Sequence, residues 1–192
     1  MRIALDGRSV QMAGRRHAIA EAAASALAAN GARLKWTETP AAADLCVIAH
    51  PLDLDAAYRP DAMIAFAEAV AALMASTSGG RIIHLIPAAA LVPMRRHAAA
   101  SVSMAAVVAA TRGLAMQAAP TVLVNAVAIG ALDEGAEAGD PAMLSHVPLA
   151  RPGRLDEAVA ALLFLADPMN TYTTGQVLAV DGGWTAGFGR DF

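Results

Sequence analysis

Thr174-Gly175-Gln176-Val177-Leu178-Ala179-Val180-Asp181-Gly182-Gly183 decides the fold of this chain. A compact apolar run follows a Thr-Gly-Gln lead-in and is stopped by Asp-Gly-Gly, turn chemistry that ends a strand. It predicts a last strand over residues 176–180. Working back, residues 155–165 read as a helix, 121–126 as an apolar strand and 101–118 as a long Ala-rich helix. Gly79-Gly80 turns into a strand over 81–86, and a helix over 61–76 precedes it, with Ile64, Ala67, Ala71 and Met74 at helical spacing. Asp44-Leu45-Cys46-Val47-Ile48-Ala49 is a strand of the buried parallel type, broken by His50-Pro51. At the N-terminus a strand over 9–13 leads to a helix over 16–29, which Asn30-Gly31 stops, and then to a strand over 33–37. Strands alternating with helices imply βαβ units: a Rossmann-like, doubly wound parallel sheet in three α/β/α layers.

Composition narrows the classes. The chain has 192 residues, which predicts a single domain over residues 1–192. It is 57% hydrophobic, so it is not a disordered protein. A formal charge of −3 and no basic stripe interleaved with aromatics argue against nucleic acid as a partner. Cys46 is the single cysteine, which excludes an intrachain disulfide and a Cys-based zinc site and fits a reducing compartment. Arg2 and Asp6 interrupt any apolar leader at the start of the chain. The weakly polar run 98–110 is too short and too rich in small residues to span a bilayer. No membrane is expected, and the expected location is the cytoplasm. Residues 134–148 are rich in Gly, Asp and Pro and read as a loop.

The closing strand quoted above resembles that of the short-chain dehydrogenase/reductase family almost residue for residue. Gly79-Gly80-Arg81-Ile82 is similar to the entry into that family's fifth strand, and Val122-Leu123-Val124-Asn125-Ala126-Val127 to its sixth. Pro148-Leu149-Ala150-Arg151-Pro152-Gly153-Arg154 resembles its Pro-Leu-x-Arg turn. The resemblance implies an NAD(P)-dependent oxidoreductase fold. It also exposes departures. The family's Tyr-x-x-x-Lys, which passes and supports a proton, is matched by Ala100-Ser101-Val102-Ser103-Met104. The orienting serine, thirteen residues earlier, is matched by Pro87. Losing one positioned acid–base group typically costs about 10²–10⁴ in rate. No catalytic residue is therefore expected, the family positions being held by Pro87, Ala100 and Met104.

The N-terminal half departs further. Where the family places a glycine-rich loop against the cofactor pyrophosphate, this chain has Ala13-Gly14-Arg15-Arg16-His17. Arg15 and Arg16 read as surface arginines without a ligand. The residual cofactor-contact candidates are Gly14, Glu38 after the second strand, Asn125, and Gly130 after the sixth-strand equivalent. The threonine that the family uses near the carboxamide is matched by Glu134. From Glu38 the chain passes through Thr39-Pro40-Ala41 straight to the fourth-strand equivalent, so a helix–strand–helix unit of the family is missing and the second strand becomes a sheet edge. No cofactor is expected on this chain, and NAD or NADP is expected in an active partner.

His50, His84 and His97 come from segments that converge near the former nicotinamide pocket. They offer a general base or a metal trio; the plainer reading makes His84 a partly buried strand residue and the other two loop residues. Ser101 and Ser103 read as helix packing or surface serines. No metal is expected.

In the family, the helices matching residues 61–76 and 101–118 pair across a two-fold axis as a four-helix bundle. The interface candidates are Val102, Ala105, Val108, Ala109, Arg112 and Met116 on the long helix, with Trp184 and Phe188 in the tail. The resulting expectation is an inactive subunit joined to an active family member as a heterodimer or heterotetramer. Two alternatives stand beside it: an active enzyme with a rebuilt site, and a small-molecule binding or regulatory module.

Overall fold

The structure is a computed structural model that describes residues 1–133 and 144–187; Glu134 and Phe188 lie outside the described residues. Six parallel strands form one sheet: β1 (Ser9–Gly14), β2 (Arg33–Trp36), β3 (Leu45–Ala49), β4 (Gly80–Pro87), β5 (Val122–Ile129) and β6 (Val177–Val180). Their spatial order is β2-β1-β3-β4-β5-β6. The helices are α1 (Ala18–Ala29), α2 (Asp61–Ala75), α3 (Ala98–Ala118) and α4 (Leu155–Ala166).

Side-chain alternation along each strand builds the two helix layers. Leu45, Val47 and Ala49 of β3, with Ile83 and Leu85 of β4, face the cluster that holds Ile19, Leu27, Leu162 and Leu165 of α1 and α4. Cys46, Ile48 and Ile82 face Phe66, Val70 and Met74 of α2. Ile86, Ala126 and Ala128 face Met104, Val107 and Val108 of α3. A sheet covered on both faces needs apolar residues at successive positions, and all five residues of β3 are buried.

The edge position of β2 follows from a short link. Residues 37–44 run from β2 to β3 with no helix or strand between them. Buried Gln11 of β1 holds the link, donating to the Thr39 carbonyl at 2.8 Å and accepting from the Ala41 N–H at 3.2 Å. On the edge, Arg33 and Lys35 point to solvent, which discourages further strand pairing.

The long helix begins at Ala98, three residues before the sequence suggested, because the Ser101 hydroxyl bridges the turn that enters it. Ser101 Oγ accepts from the Met94 N–H at 2.9 Å and donates to the His97 carbonyl at 3.0 Å. At 21 residues, α3 is long and apolar enough to cross a membrane, unlike the shorter run 98–110. Its buried stripe of Ala100, Met104, Val107, Thr111 and Leu114 packs on the sheet, so α3 is a core helix here.

Candidate functional site

In a parallel sheet, ligands sit beyond the carboxyl ends of the strands, where the strand order reverses. Here that crevice lies between the ends of β1 and β3. Gly14 ends β1 at φ +86, and a Cβ there would lie 2.2 Å from the Ala49 carbonyl oxygen at the end of β3. The two strand ends thus close on each other, and the Arg15 N–H donates to that same carbonyl at 2.7 Å. Gly14→Ala combines this collision with a backbone region that L-residues avoid, and is expected to cost at least about 2 kcal/mol. Urea denaturation checks it: an unchanged midpoint would mean that β1 and β3 do not meet this closely.

His17 starts α1. The Ala20 N–H donates to His17 Nδ1 at 3.2 Å, so that nitrogen carries no proton. Nε2 therefore carries it and donates to the His50 carbonyl at 3.1 Å. The helix end is thereby capped by a ring that is itself tied to β3. Arg15 pairs with Asp53 at 3.1 Å, while Arg16 pairs with Glu21 and lies 4.3 Å over the Trp36 ring. Both arginines thus have partners within the chain. Glu38 is exposed beyond the edge strand.

At the end of β4 the apolar filling is complete. Pro87 is buried, as are Ala88, Ala89 and Ala90 of the short 3-10 turn that follows. Ala100 is 1% exposed and Met104 0%. Tyr58, from the segment between β3 and α2, packs on the same cluster as Met104 and Val108. Asn125 ties β5 to the approach of β6: it donates to the Thr173 carbonyl at 2.9 Å and accepts from the Gln176 N–H at 3.0 Å. Gly130 donates to the Val180 carbonyl at 3.0 Å, and a Cβ on it would lie 2.6 Å from Asp181 Cα. These two candidates are thus occupied in holding the sheet together.

The histidines correct the sequence reading. His84 is not partly buried but 1% exposed, and His50, expected in a loop, is 0% exposed. The cause is that position 50 still pairs as strand, its N–H donating to the Leu85 carbonyl at 3.0 Å, which turns the ring inward. His50 Nε2 lies 3.0 Å from His84 Nδ1, and His50 Nδ1 lies 2.7 Å from the Tyr58 hydroxyl. Burial lowers His84 from its ordinary value to about 4. Burial, followed by the nearby His84 and His17, holds His50 well below its ordinary value. Both rings are neutral at physiological pH. Each contact then holds one proton: Tyr58 O–H donates to His50 and His50 to His84, or the whole order reverses. Burial, with a contribution from Asp61, pushes Tyr58 up to about 12. A phenol with that value and a hydroxyl already bonded to a ring makes this line an internal brace rather than an exposed acid. His97 is exposed at the start of α3 and does not join the pair. Among the described residues, no group of three histidine, cysteine, aspartate or glutamate side chains is placed to hold a metal.

Sequence reasoning did not find Tyr58, which heads no recognisable motif, or the capping role of His17. The only signal for the latter is its position directly before the first apolar residues of α1. Ser103 proves to be a packing serine, donating to the Tyr58 carbonyl at 3.0 Å.

The outer faces of α2 and α3 are bare. Val102 is 72% exposed and Met116 78%, and Ala105, Ala109 and Arg112 also face solvent. Val108 is a correction: it lies one turn beyond Met104 on the sheet-facing stripe and is buried in the chain's own core. Trp184 is half-buried in a 3-10 turn.

Comparison with known proteins agrees with this architecture. A family model described as Enoyl-(Acyl carrier protein) reductase matches residues 52–185. The chain belongs to the short-chain dehydrogenase/reductase family. An NAD-dependent glycerol dehydrogenase from Listeria innocua is 34% identical over 119 residues, covering 58% of this chain and 47% of the relative. A 3-oxoacyl-[acyl-carrier-protein] reductase from Synechocystis sp. is 38% identical over 120 residues, covering 60% and 49%. The chain spans about half the length of the curated relatives it matches. The ligand-free aldohexose dehydrogenase of Thermoplasma acidophilum superposes with a TM-score of 0.78 at 16% identity, across 97% of each chain. A short-chain dehydrogenase/reductase from Brucella melitensis gives 0.76 at 17% identity, across 96% of this chain and 99% of that one.

Members of this family use NAD or NADP. The residues present do not fit that group at the β1–α1 crevice. No glycine backbone follows Gly14, the His17 ring caps the helix end, and Arg15 and Arg16 are engaged within the chain. At the nicotinamide end, Met104 replaces a polar side chain and is buried in the core.

Proposed function

We propose that this chain is a non-catalytic member of its family, working in the cytoplasm as the stabilising subunit of a heteromeric oxidoreductase. It binds no nicotinamide cofactor itself; the active family member with which it pairs carries NAD or NADP. One observation carries this reading: the family's acid, lysine and serine positions are filled by buried Ala100, Met104 and Pro87, while the outer faces of α2 and α3 remain uncovered and largely apolar, with Glu68 and Arg112 among their alanines. Val102 and Met116 supply the largest exposed apolar side chains on α3. Four helices packing across a two-fold axis give a heterodimer, and repetition through the last helix and strand gives a heterotetramer. A partner that binds the folded form stabilises it by mass action.

Co-expression with an intact family member encoded beside this gene tests the pairing. The two co-purify, and Val102→Glu with Met116→Glu abolishes that without changing the far-UV circular dichroism of the chain alone. Failure to co-purify with any such partner sinks the proposal. Fluorescence titration with NADH and NADPH tests the other half: no saturable signal is expected at millimolar cofactor. The second reading, an active enzyme with a rebuilt site, would have to draw on the Tyr58–His50–His84 line, whose two rings are buried. Saturable cofactor binding by this chain alone would select it over the first.

A further inference from the structure

The strands' amino ends, opposite the family's cofactor crevice, enclose a cavity of about 250 Å³ lined by Arg8, Asp44, Ser78, Arg81, Ala166 and Pro168 among others. Arg81 is the second residue of β4 and pairs in register with Leu45 of β3. Its Nη2 donates to two neutral acceptors, the Pro168 carbonyl at 3.1 Å and the Asn170 carbonyl at 3.2 Å. Its Nε is buried without a partner. Among the described residues, no salt bridge includes Arg81. Asp44, the carboxylate lining the cavity, is already taken. One oxygen accepts from Arg8 at 2.8 Å, and the other accepts from the Ser9 N–H at 2.8 Å and the Ser9 hydroxyl at 2.7 Å. The cavity thus holds two guanidinium ions against one carboxylate. Asp167 is the one carboxylate whose charge favours that of Arg81, and it makes no ion pair with it, while Arg8 opposes it. A half-buried guanidinium with an unpartnered Nε and no direct ion pair gains from an anion placed against it.

We propose that this cavity binds a small anionic metabolite, with phosphate or carboxylate oxygens held between the Arg8 and Arg81 guanidiniums. Charge-assisted bonds from two planar guanidinium forks suit a tetrahedral or planar oxyanion. Ser78, also in the lining, carries a hydroxyl that can donate as well. The cavity is below the usual range for drug-sized ligands, so a dinucleotide is excluded and a phosphate monoester or short dicarboxylate is admitted. The ligand supplies the direct ion pair that Arg81 lacks, and it links β4 to the segment after α4 that Arg81 already grips.

Isothermal titration of the full chain with inorganic phosphate and with malonate, against chloride at matched ionic strength, tests this. Saturable binding of at least one is expected, and the stronger of the two identifies the head group. Arg81→Gln abolishes saturation, and Arg8→Gln weakens it about tenfold or more. Because Arg81 also supports the chain after α4, Arg8→Gln is the variant that keeps the test valid if Arg81→Gln does not fold; the Arg8 side chain is 53% exposed. Amide shifts on phosphate addition cluster at Ser78, Arg81 and Asn170. No saturable binding, a response equal to that of chloride, or unchanged binding in Arg8→Gln means an adventitious ion only and overturns the proposal.

Discussion

Restoring the family's residues to this chain, as Pro87→Ser, Ala100→Tyr and Met104→Lys together, is expected to unfold it rather than activate it. Met104 is fully buried against Val107, Val108, Ala126 and Ala128. A lysine there places an ammonium among apolar side chains with no carboxylate in that cluster, which costs roughly 3–5 kcal/mol. Ala100 is also buried, and a tyrosine in its place overpacks the start of α3 by roughly 1–3 kcal/mol. Against a typical domain stability of about 5–15 kcal/mol, the sum removes most or all of the fold. Val102→Lys on the same helix is the control, since that side chain is 72% exposed. Urea denaturation and soluble yield are the measurements. A triple variant that keeps the parent midpoint would show that the pocket near Met104 is open to polar groups, and the reading of a closed site would fall.

This closure also explains what the sequence reveals and what it does not. The strands and helices are legible because each has its own local pattern. Residues 45–49 are apolar at every position, as a doubly covered strand must be. The ends of elements are less legible. α3 starts three residues early because Ser101 and Met94 form a side-chain bond that no periodicity announces. The absence of the family's acid–base pair is visible in Ala100 and Met104 as letters. Their burial is not, because it depends on the tertiary packing of α3, where Tyr58 from a different segment packs on the cluster that holds Met104.

The histidines show the limit most clearly. As single letters, His50 reads as a loop residue and His84 as a partly buried strand residue, and the composition of their neighbours does not distinguish a ligand from a brace. Parallel pairing decides it. Ile48 aligns with His84, which places position 50 two residues further along β3, on the same side of the sheet as His84. The side chains then meet at 3.0 Å. Val108 failed for the complementary reason: on an alanine-rich helix the apolar letters leave open which stripe faces inward, and the contact with Met104 settles it.

The buried imidazole pair makes stability depend on pH in a defined window. His84 titrates near 4 in the folded state and near 6.5 when unfolded. As pH falls below about 6.5, the unfolded chain takes up a proton that the folded chain refuses, so stability drops. It is fully present above that value and is lost as pH falls towards about 4. At about 1.36 kcal/mol per unit, the His84 difference corresponds to about 3 kcal/mol. His50 acts in the same direction, its folded value being lowered by burial and by His84; two rings in contact titrate as a pair, so their effects do not simply add. The lowered carboxylates act later. Glu157 falls from 4.5 to about 2 through its bonds with Arg151 and the Arg154 N–H, so its loss begins only below its unfolded value. Asp44, lowered from 3.8 by its bonds to Ser9 and Arg8 against the opposing pull of burial, follows at still lower pH. The interval between about pH 6.5 and about pH 4.5 therefore belongs to the histidines. Urea midpoints across that interval are expected to fall steadily in the parent chain. His84→Asn keeps a polar atom near the position of Nδ1 and has nothing to titrate, so its profile is flatter. A parent profile that is level over the interval, or a His84→Asn profile just as steep, would show that the two rings are not the buried neutral pair described here.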